Sequence, residues 1–97
     1  MATYVMLATY TQQGISNIQD TTKRADAVKA LAAKHGCTMK DTYWVLGQYD
    51  VVAIFEAPND ETMTALALTL AKLGNVKTQT LRAFTPAEMN GVLAKMV

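Results

Sequence analysis

DTYWVLGQYDVVAIFEA, residues 41–57, reads as strand, tight turn, strand. Gly47 has no Cβ and takes positive φ at little cost, so the chain reverses over Gly47-Gln48-Tyr49-Asp50. Leu46 precedes the turn, and the apolar, largely β-branched run Val51 to Phe55 follows it. Successive strand side chains alternate in direction. Val51, Ala53 and Phe55 therefore share one face, and Val52 and Ile54 the other. Both faces are apolar, as in a strand covered on two sides, so the sheet built on this hairpin requires a cover over each face.

Working outward, 97 residues make one domain, residues 1–97. So short a chain buries a small share of its surface, and a second subunit adds burial. Hydrophobic residues make up 51% and charged residues 18%, below the usual roughly 25%, so part of the surface is expected to meet protein. The net charge is +1, with Lys and Arg scattered from Lys23 to Lys95. No concentrated basic patch results, which argues against nucleic acid as a partner. No apolar run approaches the roughly 20 residues of a membrane span, so no membrane partner is expected. The opening MATYVMLATYTQQG lacks a basic leader and a cleavage pattern and reads as strand. The single cysteine, Cys37, excludes an intramolecular disulfide and fits a reducing, cytoplasmic setting.

Thr3 to Thr11 is the first strand, with Tyr4, Met6, Ala8 and Tyr10 on one face and Val5, Leu7 and Thr9 on the other; it too should be central. Gln12-Gln13-Gly14 turns the chain. Ser16 and Gln19 have capping-box spacing, and a helix with Ile18, Ala25, Val28, Leu31 and Ala32 on its apolar stripe is expected to run to about His35 and stop at Gly36. Cys37 to Leu46 is a strand whose polar first half suits an edge, and Asp50 to Ala57 is its partner. Asn59 or Asp60 caps a second helix, with Met63, Leu66, Ala67, Leu70 and Leu73 on its stripe and Gly74 at its end. Val76 to Thr85 is Thr-rich and alternately polar, as an edge strand is. Thr85-Pro86-Ala87-Glu88 then opens a short last helix with Met89, Val92, Leu93 and Met96 along one side.

The order is β-α-β-β-α-β plus a last helix: an α+β, ferredoxin-like, four-stranded antiparallel sheet with two helices on one face. The other face is then bare and apolar, a patch monomers seldom tolerate. A homodimer or higher homo-oligomer, built sheet on sheet, follows as the expected partner arrangement.

Gly47-Gln48-Tyr49-Asp50-Val51-Val52, then Glu56-Ala57-Pro58, together with Arg24 and Thr80-Leu81-Arg82-Ala83-Phe84, resembles the signature of the GYD domain family. The resemblance covers roughly Tyr4 to Glu88 and departs at Gly36-Cys37, where relatives tend to carry a second glycine. It implies a small protein of the dimeric α/β-barrel type, mostly bacterial, in a family without a settled activity. A weaker likeness, through Gly-x-Tyr-Asp and Gly74-Asn75-Val76-Lys77-Thr78-Gln79-Thr80, is to the effector-binding domains of the Lrp/AsnC regulators, which bind small molecules at subunit interfaces. Related dimeric barrels include haem enzymes and cofactor-free oxygenases, so an oxygenase-type reaction is the enzymatic alternative, and a purely structural module the third reading.

Six residues are candidates for contact with a small-molecule ligand. Tyr49 and Asp50 sit at the hairpin end and could line a ligand site there, although Asp50 bonding to turn amides and Tyr49 packing its ring is the plainer explanation. Tyr10, Trp44 and Arg82 are strand residues that suit either an inter-sheet pocket for an acidic or aromatic molecule or ordinary interface packing. Arg24 points a charge at such a pocket or at solvent. His35 fits the negative end of its helix, and Cys37 reads as a buried thiol. No catalytic or metal-binding constellation and no cofactor is read from the sequence.

Overall fold

A computed structural model describes residues 1–97. The chain runs β1 (Ala2–Tyr10), α1 (Gln12–Ser16), a 3-10 turn (Ile18–Asp20), α2 (Thr21–Lys34), β2 (Thr38–Trp44), β3 (Val51–Ala57), α3 (Asp60–Lys72), β4 (Val76–Ala83) and α4 (Pro86–Leu93). The strands form one antiparallel sheet in the order β2-β3-β1-β4. The two apolar strands are therefore central and the two polar ones lie at the edges, as their patterns require.

One sheet face carries the core. Tyr4, Met6 and Ala8 of β1 and Ala53, Phe55 and Ala57 of β3 are buried beneath Ala32 of α2 and Met63, Leu66 and Leu70 of α3. The alternate residues Val5, Leu7, Val52 and Ile54 form the opposite face and stay half-buried, with no element of the chain over them. Gly36 and Gly74 end α2 and α3 at φ +75° and +87°, the left-handed C′ geometry expected of them.

The first crossover differs from its sequence reading. In place of a single helix from a Ser16 cap, Gln12-Gln13-Gly14 is already helical, and α2 starts at Thr21. Thr11 leaves the strand to cap α1, its Oγ1 accepting from the Gly14 amide at 3.1 Å and donating to Gly74 O at 2.5 Å. Ser16 is left to donate to the Gln12 carbonyl, and Ile18 lies exposed in the 3-10 turn, off the apolar stripe. Leu73, expected on the α3 stripe, is also exposed.

Gly14 marks where this corner meets β4. A Cβ there would stand 2.1 Å from Asn75 O, the carbonyl that accepts the Thr11 amide. Gly14→Ala is expected to cost about 1–3 kcal/mol, the usual range for forced overpacking, seen as a lower urea midpoint. An unchanged midpoint would show that α1 is free to move away from β4.

The other departure from strict alternation is a bulge in β2. The β2–β3 register shifts between Met39 and Asp41, so Lys40 and Asp41 fall together on the open side. A one-residue shift exchanges the faces of everything beyond it. It turns Thr42 and Trp44 toward the helices and Tyr43 toward the open face.

Candidate functional site

Between α2, α3 and the buried side of the sheet lies a cavity of about 530 Å3. Its walls are mostly apolar: Met6 and Ala8 of β1, Met39 of β2, Val51, Ala53 and Phe55 of β3, Val28 and Leu31 of α2, and Leu70 of α3. The size lies within the range of small-molecule sites.

One end of the cavity is polar. Thr21, the first residue of α2, places its Oγ1 3.0 Å from Trp44 Nε1, which donates to it, and 2.7 Å from Tyr10 Oη. These three groups carry three hydrogens, one on the indole and one on each hydroxyl. They make two bonds among themselves, so whichever hydroxyl donates in the second bond, one O–H remains free for a further acceptor. Arg24 lines the same end; its guanidinium donates to Asn17 O at 2.7 Å and Gly14 O at 3.3 Å, and no carboxylate lies within ion-pair distance. Two of its five N–H groups thus hold the carbonyl end of α1, and its positive charge remains unneutralised.

Of the six candidate residues, the structure brings Tyr10, Trp44 and Arg24 together around this cavity. It does not bring Arg82 to them. Tyr10 pairs with Val76 and Arg82 with Tyr4, six rungs apart along β1, or roughly 20 Å at strand rise. The expected meeting of Tyr10, Trp44 and Arg82 between two sheets is therefore corrected. Tyr10 shares the parity of buried Met6 and Ala8, the bulge swings Trp44 to the same side, and the cavity they line lies inside one protomer.

Arg82 instead joins the sheet to α4. Its guanidinium donates to the Thr3 and Ala83 carbonyls, stacks 4.6 Å from the Phe84 ring centroid and stands 3.7 Å from Glu88 Oε2. Glu88 closes the capping box with Thr85, and that backbone hydrogen bond, helped by Arg82, holds its carboxyl below the usual range. Nearby, the Tyr4 hydroxyl donates to Asp60 Oδ1 at 2.5 Å. Burial raises the phenol above its ordinary value, and the bond to Asp60 adds to the shift.

Tyr49 and Asp50 do not face the cavity. The Asp50 carboxylate accepts from the Tyr10 amide at 2.9 Å, and the Asp50 amide donates to Ala8 O at 2.9 Å. Asp50 thereby fastens the hairpin to the end of β1, beside the hydroxyl trio, where it holds β1 rather than the turn amides. The Tyr49 hydroxyl donates to Gln79 Oε1 at 2.9 Å, tying the hairpin to β4. Gly47, at φ +114°, permits the turn that delivers both.

His35 is tied to Leu31 O through Nδ1 at 3.0 Å, and no three His, Cys, Asp or Glu side chains gather as metal ligands. Cys37 is buried, and that burial pushes its thiol up, away from the reactive thiolate. Thr21, the hub of the trio, is absent from the residues that sequence reasoning singles out. Its only local signal is its place beside Asp20 before an apolar-periodic segment, and its link to Trp44 depends on the bulge.

The model of the GYD domain family matches residues 4–93. This chain belongs to the GYD domain family. A relative in Thermus thermophilus, described as a glutamine synthetase and cystathionine beta-lyase binding protein, is 34% identical over 90 residues, spanning 92% of this chain and 95% of that one. Among solved structures, FFRP-DM1 is similar at TM-score 0.62 and 19% identity, covering 87% of this chain and 100% of its own. TTHA0845 from Thermus thermophilus is similar at TM-score 0.58 and 24% identity, covering 88% of this chain and 95% of its own. These two likenesses show that the fold of this GYD domain is shared. No helix in it is long and apolar enough to cross a membrane.

Proposed function

We propose that this GYD domain is a homodimeric binding protein whose protomers each take a small, largely apolar molecule carrying one carboxylate or carbonyl oxygen. The observation that carries the ligand reading is the free O–H of the Tyr10–Thr21–Trp44 trio at the end of an apolar cavity. An acceptor there completes the hydrogen bonding, and the unneutralised Arg24 favours an anionic one. The dimer reading is supported by exposed area. The single chain presents 6398 Å2 to solvent, against roughly 5,400 Å2 for a compact monomer of this mass. The excess of about 1,000 Å2 is near the ~800 Å2 each partner buries in a standard interface, and the apolar open face is where it is least favourable to leave wet.

A panel of aromatic and medium-chain carboxylic acids tests the ligand reading by thermal shift and calorimetry. At least one member is expected to raise the melting temperature, and Thr21→Val, which removes the hub hydroxyl, to weaken its binding about tenfold, near one hydrogen bond of ~1.4 kcal/mol. No shift across the panel, or equal binding by Thr21→Val, would end it.

A second reading has its own support in the Thermus relative, similar over nearly its whole length and described by two enzymes that it binds. In that reading this GYD domain also docks on an enzyme of amino-acid metabolism. Sedimentation with glutamine synthetase and cystathionine beta-lyase from the same organism tests it: a faster-moving complex with either supports it, and independent migration with both removes it.

A further inference from the structure

The cavity between the helices and the sheet carries two cations and no acid on its walls. Arg24 and Lys34 are the only charged residues that line it. Lys23, Asp26 and Lys29, the other charged residues of α2, lie off it. Neither Arg24 nor Lys34 has a carboxylate within ion-pair distance. The whole chain has a net charge of +1, so two uncompensated cations on one apolar groove are a local concentration of charge.

Their placement follows from the helix. Arg24, Ala27, Val28, Leu31 and Lys34 recur at helical intervals, on the face of α2 that walls the cavity. Arg24 lies near the start of the helix and Lys34 is its last residue, roughly 15 Å apart along the axis at helix rise. Between them the stripe is wholly apolar. Arg24 is half-buried beside the Tyr10–Thr21–Trp44 trio, whereas Lys34 is exposed. That suits a lysine, whose stem covers apolar surface while its ammonium stays in water at the mouth.

The two ends make separate demands on a ligand. The trio and Arg24 take one oxygen-bearing group. A chain that fills the apolar middle then brings its far end to Lys34. A second carboxylate is costly to place in an apolar groove without a partner, and Lys34 supplies that partner. A methyl group at the same point leaves the ammonium unpaired.

We infer that the cavity is built for an elongated dianion: an apolar chain with one anionic group at the trio and Arg24 and a second at Lys34. The inference rests on the ligand reading above, to which it adds the second anionic group and the length. Calorimetry with decanoate and decanedioate, at neutral pH and fixed low salt, tests it, because the two acids differ only at the far end. The wild type is expected to bind decanedioate at least as tightly as decanoate. Lys34→Met keeps an apolar stem and removes the charge. It is expected to lower the preference for decanedioate about two- to fivefold, the usual range for an exposed ion pair. Loss of the favourable cation at the end of α2 acts on both acids and cancels in that ratio. Lys29→Met removes the same charge from the same helix outside the cavity, and is expected to leave the preference as it is. Weaker binding of decanedioate than of decanoate by the wild type, or an unchanged preference in Lys34→Met, would overturn the dianion. So would an equal loss of preference in Lys29→Met, which would mark a general effect of charge. The ligand reading fails separately. It survives when decanoate or an aromatic acid binds and decanedioate does not, and it falls, with the dianion, when no carboxylate of the panel binds.

Discussion

Leu7→Glu is expected to convert the proposed homodimer into a folded monomer. Leu7 lies on the open face of a central strand, between Val52 of β3 and Gln79 of β4. In the isolated chain it is only half-buried, so a glutamate there reaches water and the fold survives. In a face-to-face dimer the same carboxylate is enclosed among Val5, Val52 and Ile54 and meets its own copy nearby. An unpaired buried charge costs about 3–5 kcal/mol, and two facing each other compound it. A weakening of at least about a hundredfold follows, ~2.7 kcal/mol on the affinity scale. Circular dichroism is expected to stay native while the sedimentation coefficient falls. A variant that sediments like the wild type would show that the open face is not the interface.

Phe55→Ala is expected to give the largest loss of stability from a single truncation. Phe55 is fully buried at the centre of the core, between Tyr4 of β1 and Met39 of β2, and it also walls the cavity. Deleting a buried ring removes its transfer energy and leaves space the surroundings fill only in part, together about 3–5 kcal/mol. Small domains have roughly 5–15 kcal/mol in all, and each kcal/mol moves the melting point of a domain this size by about 4–8 °C. A fall of at least about 12 °C is the expected reading. The more conservative Phe55→Leu should cost less than about 1.5 kcal/mol if it repacks. A Phe55→Ala melting point within a few degrees of wild type would mean that the cavity collapses around the shorter side chain.

The fold is legible because its signals are periodic and local. Two strands apolar on both faces, two polar strands, and helices ended by Gly36 and Gly74 leave little freedom in ordering the sheet. The Thr85–Glu88 capping box is equally local and is present as expected. The site is less legible because it depends on one unpaired residue. The bulge at Lys40 has no glycine or proline to announce it, yet it decides that Trp44 faces Thr21 and not the open side. Residue type groups Arg82 with Tyr10, whereas strand length keeps them at opposite ends. The α1 corner is hidden because Thr11 and Ser16 both offer a capping hydroxyl, and the choice between them is made by Gly14 and Asn75 meeting across the crossover. The exposure of α4 has no local signature, since a sequence shows an apolar stripe without showing whether its cover comes from the same chain.

Native mass spectrometry of the gently purified protein, followed through dilution, tests the proposal of a homodimeric binding protein most directly. A species near 21 kDa, twice the 10.5 kDa of one chain, is expected to persist into the micromolar range, with any retained ligand adding a discrete mass once or twice per dimer. A single species at the mass of one chain at every concentration would contradict it, because the open sheet face would then stand in water with no partner.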